Sequence, residues 1–319
     1  MSHIGEFDLI GRISDAVKDR IPDGVCGIGD DCAVLPQMSG YDTLVTTDLL
    51  VEDRHFLLDD IPAEALGWKS AAVNISDIAA MGGTPESAFL SIALPGRIDS
   101  GWVERFIAGF MDLAGRHGVA LLGGDTSASP DKLFINITVL GSCLHGTAVK
   151  RSGACPGDLV CVTGTLGDSA AGLKLVLEND ASRHIPGTHE AYLLGRHYRP
   201  EPRVREGIAL AALNGVHAMM DISDGIASDL RHILDASCCG AVVDVRLLPL
   251  SESLKHVCAQ RGWDAAGLAA GGGEDYELLF TAAPGTIIPP GCTRIGYITS
   301  GDALKWDGTD KEYKGFTHF

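Results

Sequence analysis

The segment 70–81 is apolar at almost every position and reads SAAVNISDIAAM. A helix that is apolar on all sides must be covered on most of them, so the segment predicts a helix buried among other elements of the fold. Pro62 predicts its start, because proline is tolerated in the first helical turn, and Gly82 with Gly83 predicts its end. The rest of the chain has to supply the elements that cover this helix.

Asp77 is the single acidic residue of that segment. Burying an unpaired carboxylate costs roughly several kcal/mol, so Asp77 needs a partner. Ser70, Asn74 and Asp77 are spaced as one polar stripe of the helix, and the pattern places no basic residue on that stripe. We therefore predict that the stripe faces a metal ion bound by Asp77. A buried salt bridge or a hydrogen bond within the stripe is the alternative.

Strand and helix patterns alternate in both halves of the chain. In the first half we predict helices over 7–18, from Pro62 and from about residue 100, and strands over 44–47, 88–94, 119–122 and 133–140. In the second half we predict strands over 159–162, 216–220, 240–247, 276–281 and 294–298, and helices over 167–178, 202–213, 226–236 and 251–262. The segment KRSGACPGD between them is basic and aperiodic. The predicted fold class is α/β (α+β), with domains 1–149 and 150–319.

The 319 residues carry a formal net charge of −17, from 42 acidic and 25 basic side chains. Such a surface repels nucleic acid and anionic membranes, which argues against both as partners, and a nucleotide would have to arrive with cations. The N-terminus lacks the pattern of a signal peptide, and no apolar run approaches the length of a membrane span. The nine cysteines include no C-x-x-C pair, and the adjacent Cys238 and Cys239 suit neither a zinc site nor a simple disulfide. We predict reduced core thiols in a cytoplasmic protein.

Six aspartates lie next to glycines or at predicted strand ends. They are Asp30, Asp31, Asp48, Asp125, Asp221 and Asp224. In such loops the backbone can approach a phosphate while side chains converge on a metal, and turn or helix-capping aspartates are the alternative. Oxygen ligands without a cysteine or histidine cluster predict magnesium, and several carboxylates predict more than one ion. No P-loop motif is present, so ATP would be held through magnesium and glycine-loop amides.

Motifs from residue 5 to the C-terminus match a known family in its order. They are GEFDLIGRI, GIGDDCAVL, TTDLLVEDRHF, VNISDIAAMGG, LLGGDTS, KRSGACPGD, VTGTLGDSAAGL, DISDGIASDL, GGGEDYELLF and KGFTHF. Together they resemble the thiamine-monophosphate kinase family, which has the aminoimidazole-ribonucleotide-synthetase-like fold. The resemblance implies an N-terminal α/β domain whose sheet pairs with that of a second copy in a homodimer, followed by a C-terminal α+β domain.

The resemblance also implies roles for individual residues. Magnesium ions would be held by Asp31, Thr46, Thr47, Asp48, Asp77, Asp125, Asp221 and Asp224. ATP would be contacted by Gly124, Asp125, Arg151 and Ser223, and thiamine monophosphate by His55, Glu274 and Phe316. An aromatic face and a carboxylate suit the thiazolium cation. On the sequence alone, His55 and Arg151 also fit exposed charges, and the glycines 271–273 fit a plain turn, a close backbone approach or a flexible lid.

The implied reaction transfers the γ-phosphoryl group of ATP directly to the phosphate of thiamine monophosphate. Because the acceptor is already an anionic oxygen, no protein base is needed, and catalysis would rest on positioning and charge neutralisation around Asp48, Asp77, Asp125 and Arg151. Two alternatives stay open: a synthetase or lyase of the same fold, and a non-catalytic acidic metal-binding protein. The former would want a reactive cysteine beside a lysine in an N-terminal glycine loop, or a C-terminal cysteine, whereas this chain ends Thr317-His318-Phe319.

Overall fold

The structure, a computed structural model of the chain, describes residues 29–36 and 40–316. The N-terminal half forms a five-stranded sheet in the order β1-β2-β5-β3-β4. Its strands are Ala33–Pro36 (β1), Tyr41–Val51 (β2), Thr84–Pro95 (β3), Ala120–Ser129 (β4) and Phe134–Leu144 (β5). β3 and β4 run parallel, and the other neighbours are antiparallel. The helix predicted over 7–18 lies outside the described residues.

Two helices, Ala63–Ala80 (α1) and Ser100–Arg116 (α2), pack closely together beside this sheet. Their closeness depends on glycine, because a Cβ on Gly67 would lie 1.9 Å from the carbonyl oxygen of Phe106, and one on Gly109 would lie 1.8 Å from that of Glu64. The side chain of Asp99 caps α2 by accepting a hydrogen bond from the backbone N–H of Trp102.

The C-terminal half contains a six-stranded sheet in the order β11-β8-β10-β6-β9-β7. The strands are Leu159–Thr163 (β6), Val216–Asp221 (β7), Gly240–Asp244 (β8), Leu278–Ala282 (β9), Cys292–Thr299 (β10) and Leu304–Asp307 (β11). The α-helices are Asp168–Leu177 (α3), His189–Tyr198 (α4), Val204–Ala211 (α5), Ile226–Ser237 (α6), Glu252–Arg261 (α7) and Ala265–Gly271 (α8). Short 3₁₀ helices span Ala181–His184 and Val245–Leu247. None of the helices in 29–36 and 40–316 is long and apolar enough to cross a bilayer.

The helix α1 lies between the two halves of the chain. All of its residues except Glu64 and Asp77 are buried, and its core cluster includes residues of the C-terminal half such as Leu194 and Val204. A Cβ on Gly207 of α5 would lie 2.1 Å from the carbonyl oxygen of Ala79. The prediction of a helix covered on most of its sides is therefore confirmed, and the cover comes from both halves.

Several predicted strand ends are wrong, and two of them lie at candidate site residues. β2 continues past Asp48 to Val51, and β4 continues past Asp125 to Ser129. The glycines before Asp125 do not end the strand. Instead, Gly124 has φ +148°, and a Cβ there would lie 1.7 Å from the carbonyl oxygen of Leu90, so glycine lets β4 run beside β3. The sequence patterns also missed β1, β11, α4 and α8.

Candidate active site

A cavity of about 1460 Å³ lies between the two halves. Its walls include α1 and β2 on one side, and the loop after β7 with the segments 271–274 and 315–316 on the other. The cavity brings together most of the predicted site residues: Asp31, Thr46, Thr47, Asp48, His55, Asp77, Arg151, Asp221, Ser223, Asp224, Glu274 and Phe316. A large concave site with converging charged groups is where a substrate is expected to bind.

Three carboxylates from distant parts of the chain meet in this cavity. Carboxylate oxygens of Asp31, Asp77 and Asp221 all lie within 4.8 Å of one another. The hydroxyl of Thr46 donates to Asp77 Oδ2 at 2.5 Å, and the hydroxyl of Ser76 donates to Asp221 Oδ2 at 2.6 Å. Asp48 lies close to these three aspartates. We term the four residues the acidic cluster: Asp31, Asp48, Asp77 and Asp221.

Three aspartates of the acidic cluster, Asp48, Asp77 and Asp221, have raised pKa values. Burial raises the pKa of Asp48 to about 6 and that of Asp221 to about 7, and the charge of Asp31 adds to both. Burial, followed by repulsion from Asp48, Asp221 and Asp31, raises the pKa of Asp77 well above its usual range. The pKa values are raised because the carboxylates are buried close to one another with too little positive charge beside them. A divalent cation would supply that charge. Because the ligand atoms are all oxygens, they fit Mg²⁺.

Arg151 lies against the acidic cluster. Its NH2 and Nε atoms donate to the two carboxylate oxygens of Asp31 at 2.8 and 3.3 Å, and its backbone N–H donates to Asp30 at 2.6 Å. Burial would lower the pKa of the guanidinium, but the charge of Asp31 raises it above its ordinary value. The side chain is only 22% exposed, so the interpretation of Arg151 as an exposed linker charge is wrong. Its paired geometry suits recognition of a phosphate as well as of a carboxylate.

The polar stripe predicted on α1 is wrong in its members. Ser70 donates its hydroxyl to Leu66 O, and Asn74 donates its side-chain amide to Ser70 O, so both bond within the helix. The residues of α1 that line the cavity are Lys69, Val73 and Asp77. Around the helix axis, Lys69 and Val73 lie on one side of Asp77, whereas Ser70 and Asn74 lie on the other. The cavity face of α1 therefore does carry a basic residue, although its side chain reaches Glu274 rather than Asp77.

Lys69 and Glu274 form the second charged group of the cavity. Lys69 Nζ lies 2.9 Å from Glu274 Oε1, with the lysine side chain 1% exposed. His197 Nδ1 lies 3.3 Å from Glu274 Oε2 and 3.0 Å from Ser169 Oγ. Burial alone would raise the pKa of Glu274, but Lys69 and His197 hold it below its usual range. We term this set the Glu274 pair network; Lys69 and His197 are functional candidates that the sequence did not single out.

The backbone around Glu274 is constrained. Glu274 has φ +62°, a conformation rare for a side chain other than glycine, and its N–H donates to Ser223 O at 2.8 Å. A Cβ on Gly273 would lie 2.2 Å from the same Ser223 oxygen. Of the three interpretations of the glycines 271–273, the close backbone approach is the one confirmed.

His55 and Phe316 also reach the cavity. His55 Nδ1 accepts a hydrogen bond from Val51 N–H at 3.0 Å. The guanidinium carbon of Arg54 lies 5.2 Å from the centre of the Phe316 ring, which is 45% exposed. An aromatic ring already engaged by one cation has the electronic character to accept another.

Gly124 and Asp125 are the predicted site residues that the structure does not bring to the cavity. Asp125 pairs with Ser91 on β3 and is exposed. The buried residues Leu90 and Ile92 point to the opposite face, so Asp125 lies on the outer face of the N-terminal sheet, away from the helices. Thr47 also borders the cavity, but its hydroxyl lies on this outer face, where it accepts hydrogen bonds from the hydroxyl of Thr138 and the side-chain amide of Asn136.

Fold and site define a class of protein. Residues 29–143 match the family model "AIR synthase related protein, N-terminal domain", and residues 155–288 match "AIR synthase related protein, C-terminal domain". The chain therefore belongs to the AIR synthase related proteins and has their two-domain fold. The predicted boundary after residue 149 falls between the two matched ranges.

Individual relatives narrow the class. The chain is 44% identical over 332 residues to the thiamine-monophosphate kinase of Escherichia coli (strain K12), covering 99% of this chain and 98% of that protein. It is 38% identical over 329 residues to that of Bacillus subtilis (strain 168), covering 98% and 99%. The solved structure of AaThiL complexed with AMPPCP and TMP superimposes with a TM-score of 0.91 at 36% identity, covering 100% of this chain and 99% of the other. The chain belongs to the thiamine-monophosphate kinase family and is an enzyme of the kinase class.

Proposed function

We propose that this enzyme transfers the γ-phosphoryl group of ATP to the phosphate of thiamine monophosphate, giving thiamine diphosphate and ADP. The observation that carries the proposal is a single cavity that holds the acidic cluster, Arg151 and the Glu274 pair network. The relatives named thiamine-monophosphate kinase, and the neighbour structure with AMPPCP and TMP, support the same pair of substrates.

The transfer is direct in this proposal. A phosphate oxygen of thiamine monophosphate forms a bond to the γ-phosphorus while the bond to the β,γ-bridging oxygen breaks, and ADP leaves with that electron pair. Asp31, Asp48, Asp77 and Asp221 would hold several Mg²⁺ ions, with Thr46 and Asp224 beside them. Bound Mg²⁺ would neutralise the charge of the phosphates. Arg151 and Ser223 would contact ATP, and His55, Glu274 and Phe316 would contact the thiamine part.

The preference of the enzyme for a phosphorylated acceptor over a free hydroxyl tests this proposal. We expect ADP to form rapidly with ATP, Mg²⁺ and thiamine monophosphate, and not with unphosphorylated thiamine, because the proposed nucleophile is an anionic phosphate oxygen, which thiamine lacks. Chelation of Mg²⁺ should stop the reaction. Comparable rates with thiamine would contradict the proposal. Inversion of configuration at a chirally labelled γ-phosphorus would support direct transfer, and retention would point to a phosphoenzyme.

We also propose a homodimer assembled through the outer face of the N-terminal sheet. Exposed apolar side chains collect on that face: Tyr41, Leu49, Phe89, Phe134 and Leu144. A sheet face of this kind is typical of a protein interface. Asp125 and Thr47 share the face but lie three strand spacings, about 14 Å, apart in one chain. A second copy on this face would allow Asp125 to serve the site of its partner.

Mixing two inactive variants tests this shared site. Asp77→Asn and Asp125→Asn proteins should each be inactive alone. After subunit exchange, about a quarter of wild-type activity should return, because half of the dimers are mixed and each mixed dimer has one intact site. No recovery despite proven subunit exchange would place Asp125 outside the partner's site. A monomer by light scattering would contradict the dimer.

Since ATP is the proposed co-substrate, a cytoplasmic location is part of the proposal.

A further inference from the structure

A second group of metal-ligand side chains lies outside the cavity. It consists of Cys155, Asp158 and His217, and one potential ligand atom of each lies within 4.8 Å of the others. None of the three lines the cavity. Cys155 and Asp158 belong to the segment KRSGACPGD that joins the halves of the chain, and His217 lies on β7. We term this group the Cys155 cluster.

Hydrogen bonds fix the Asp158 carboxylate beside His217 and beside the backbone of Cys155. Asp158 is 2% exposed, and its Oδ2 atom accepts the backbone N–H of Cys155 at 2.8 Å and lies 2.8 Å from His217 Nδ1. The Asp158 N–H in turn donates to Cys155 O at 3.0 Å. Cys155 is exposed, so an ion could reach the cluster from solvent. The carboxylate is thus fixed, and the thiol is accessible.

The backbone around the cluster is also fixed. Gly157 N–H donates to Ile298 O and Ile298 N–H donates to Asp158 O, which ties the segment to β10. Gly153 has φ +122°, and a Cβ there would lie 2.5 Å from His217 O. The ligand-bearing turn is therefore held against β7 before any ion binds, which lowers the entropic cost of binding.

We propose that the Cys155 cluster is a binding site for one divalent transition-metal ion of the Zn²⁺ type. Thiolate and imidazole ligands favour such ions over Mg²⁺, whereas the all-oxygen acidic cluster favours the reverse. Two residues separate Cys155 from Asp158, the spacing common for paired ligands of zinc loops. Three protein ligands leave one position of a tetrahedral ion to water.

The neighbouring Cys239 does not complete the set. It is 3% exposed, and burial, followed by the charge of Asp158, raises the pKa of its thiol. The ligand atoms that lie within 4.8 Å of one another are those of Cys155, Asp158 and His217. The nearby Cys238 is exposed and provides a matched control, because it offers a second accessible thiol on the same side of the molecule.

Cobalt spectroscopy of the reduced, chelator-treated, full-length protein tests the proposal. Mg²⁺ in excess should be present, so that the acidic cluster does not bind the added metal. We expect about one Co²⁺ per chain with a thiolate charge-transfer band, and displacement of Co²⁺ by Zn²⁺. Cys155→Ser and His217→Gln should each abolish the band and weaken Zn²⁺ binding at least about 100-fold. Cys238→Ser should behave as wild type. All three variants should keep kinase activity, which shows that they fold.

Several results would overturn the proposal. The first is a wild-type protein without a charge-transfer band. The second is equal Zn²⁺ affinity in wild type, Cys155→Ser and His217→Gln. The third is loss of the band in Cys238→Ser, which would mean a different ligand set. Formation of a disulfide by Cys155 in air, without metal binding to the reduced protein, would identify a redox-sensitive thiol instead and would equally exclude the metal site.

Discussion

The two charged groups of the cavity shift the pKa values of their carboxylates in opposite directions. In the acidic cluster, burial and mutual repulsion raise the pKa of Asp48, Asp77 and Asp221. In the Glu274 pair network, Lys69 and His197 hold the pKa of Glu274 below its usual range. The same helix contributes to both, since Asp77 and Lys69 are about 12 Å apart along α1 at 1.5 Å per residue. Glu274 has a counter-charge, Lys69, within the chain, whereas the acidic cluster leaves room for incoming cations.

Asp77→Asn should have the largest effect of any change that tests this contrast. Kinase activity should fall at least about 10³-fold, because a proposed magnesium ligand is lost. The free energy of unfolding without Mg²⁺ should stay the same or rise, since a repelling charge is removed. The measurement is steady-state kinetics together with melting with and without Mg²⁺. Wild-type activity in this variant would show that Asp77 has a structural role only.

Asp42→Asn provides the matched control. Asp42 is also buried on β2, but hydrogen bonds from Gly146 N–H and with His145 hold its pKa below its usual value against the effect of burial. Its neutralisation should therefore cost stability, about 1 kcal/mol or more, while the response of melting to Mg²⁺ stays unchanged. If the unfolding free energy without Mg²⁺ rises in Asp77→Asn and falls in Asp42→Asn, the contrast between the two carboxylates is supported. A fall in both variants would contradict it.

Arg151→Ala should reduce kcat/KM for ATP by roughly 2–4 kcal/mol, the range for a group that stabilises developing phosphoryl charge. Because Arg151 is paired with the 1% exposed side chain of Asp31, the variant should also melt lower without Mg²⁺, and added Mg²⁺ should restore part of the loss. Arg151→Lys should recover only part of the activity, since a point charge does not reproduce the paired geometry. Normal ATP kinetics with a lowered melting temperature would make Arg151 a structural clamp.

Lys69→Met should cost about 2–3 kcal/mol of unfolding free energy, because Glu274 loses a buried partner while it keeps some solvent exposure. KM for thiamine monophosphate should rise more than kcat falls. The double variant Lys69→Met/Glu274→Gln should regain stability, since no unpaired charge remains. Urea unfolding of the four proteins of this cycle measures the coupling. Additive losses would show that Lys69 and Glu274 do not act as a pair.

The last expected effect is a change of stability with pH. Burial, followed by the charge of Lys69, lowers the pKa of His197 to about 3 from 6.5. The unfolded chain therefore takes up a proton as the pH falls below about 6.5, and the folded chain does not, so stability attributable to His197 is lost toward acid. Between pH 7 and pH 5 this loss is about 2 kcal/mol. His197→Asn should lose correspondingly less stability than wild type over that range, and parallel curves would contradict the assignment.

Residues with a strong local signal were predictable from the sequence. Pro62 and Gly82 bracket α1, whose residues 63–80 match the predicted helix, and Asp77 was conspicuous as a carboxylate in an apolar segment. The cavity-facing side of α1 was not predictable, because a helix that is apolar all around points in no single direction. Nothing in the local sequence distinguishes Lys69 from a solvent-exposed lysine, because its partner Glu274 is distant in the sequence.

Other failures have equally local causes. The sequence patterns predicted no helix over AAGLAAG, yet it forms α8, because Asp264 accepts the N–H of Gly267 and Ala269 and Ala270 are buried. The glycines before Asp125 read as a strand end, although Gly124 serves the close approach of β4 to β3. In both segments tertiary contacts outweigh the local preference of glycine for turns.

The position of α1 between the halves has a consequence for how the protein is made. A ribosome synthesises the N-terminal half first, so α1 emerges long before His189–Tyr198 and Val204–Ala211 that cover it. Until then the nascent chain exposes apolar surface that neither its own sheet nor α2 can cover, the kind of surface that molecular chaperones bind. The matched domain ranges, residues 29–143 and 155–288, divide the sequence in two, but the segment between them does not mark a point at which synthesis could pause with folding complete.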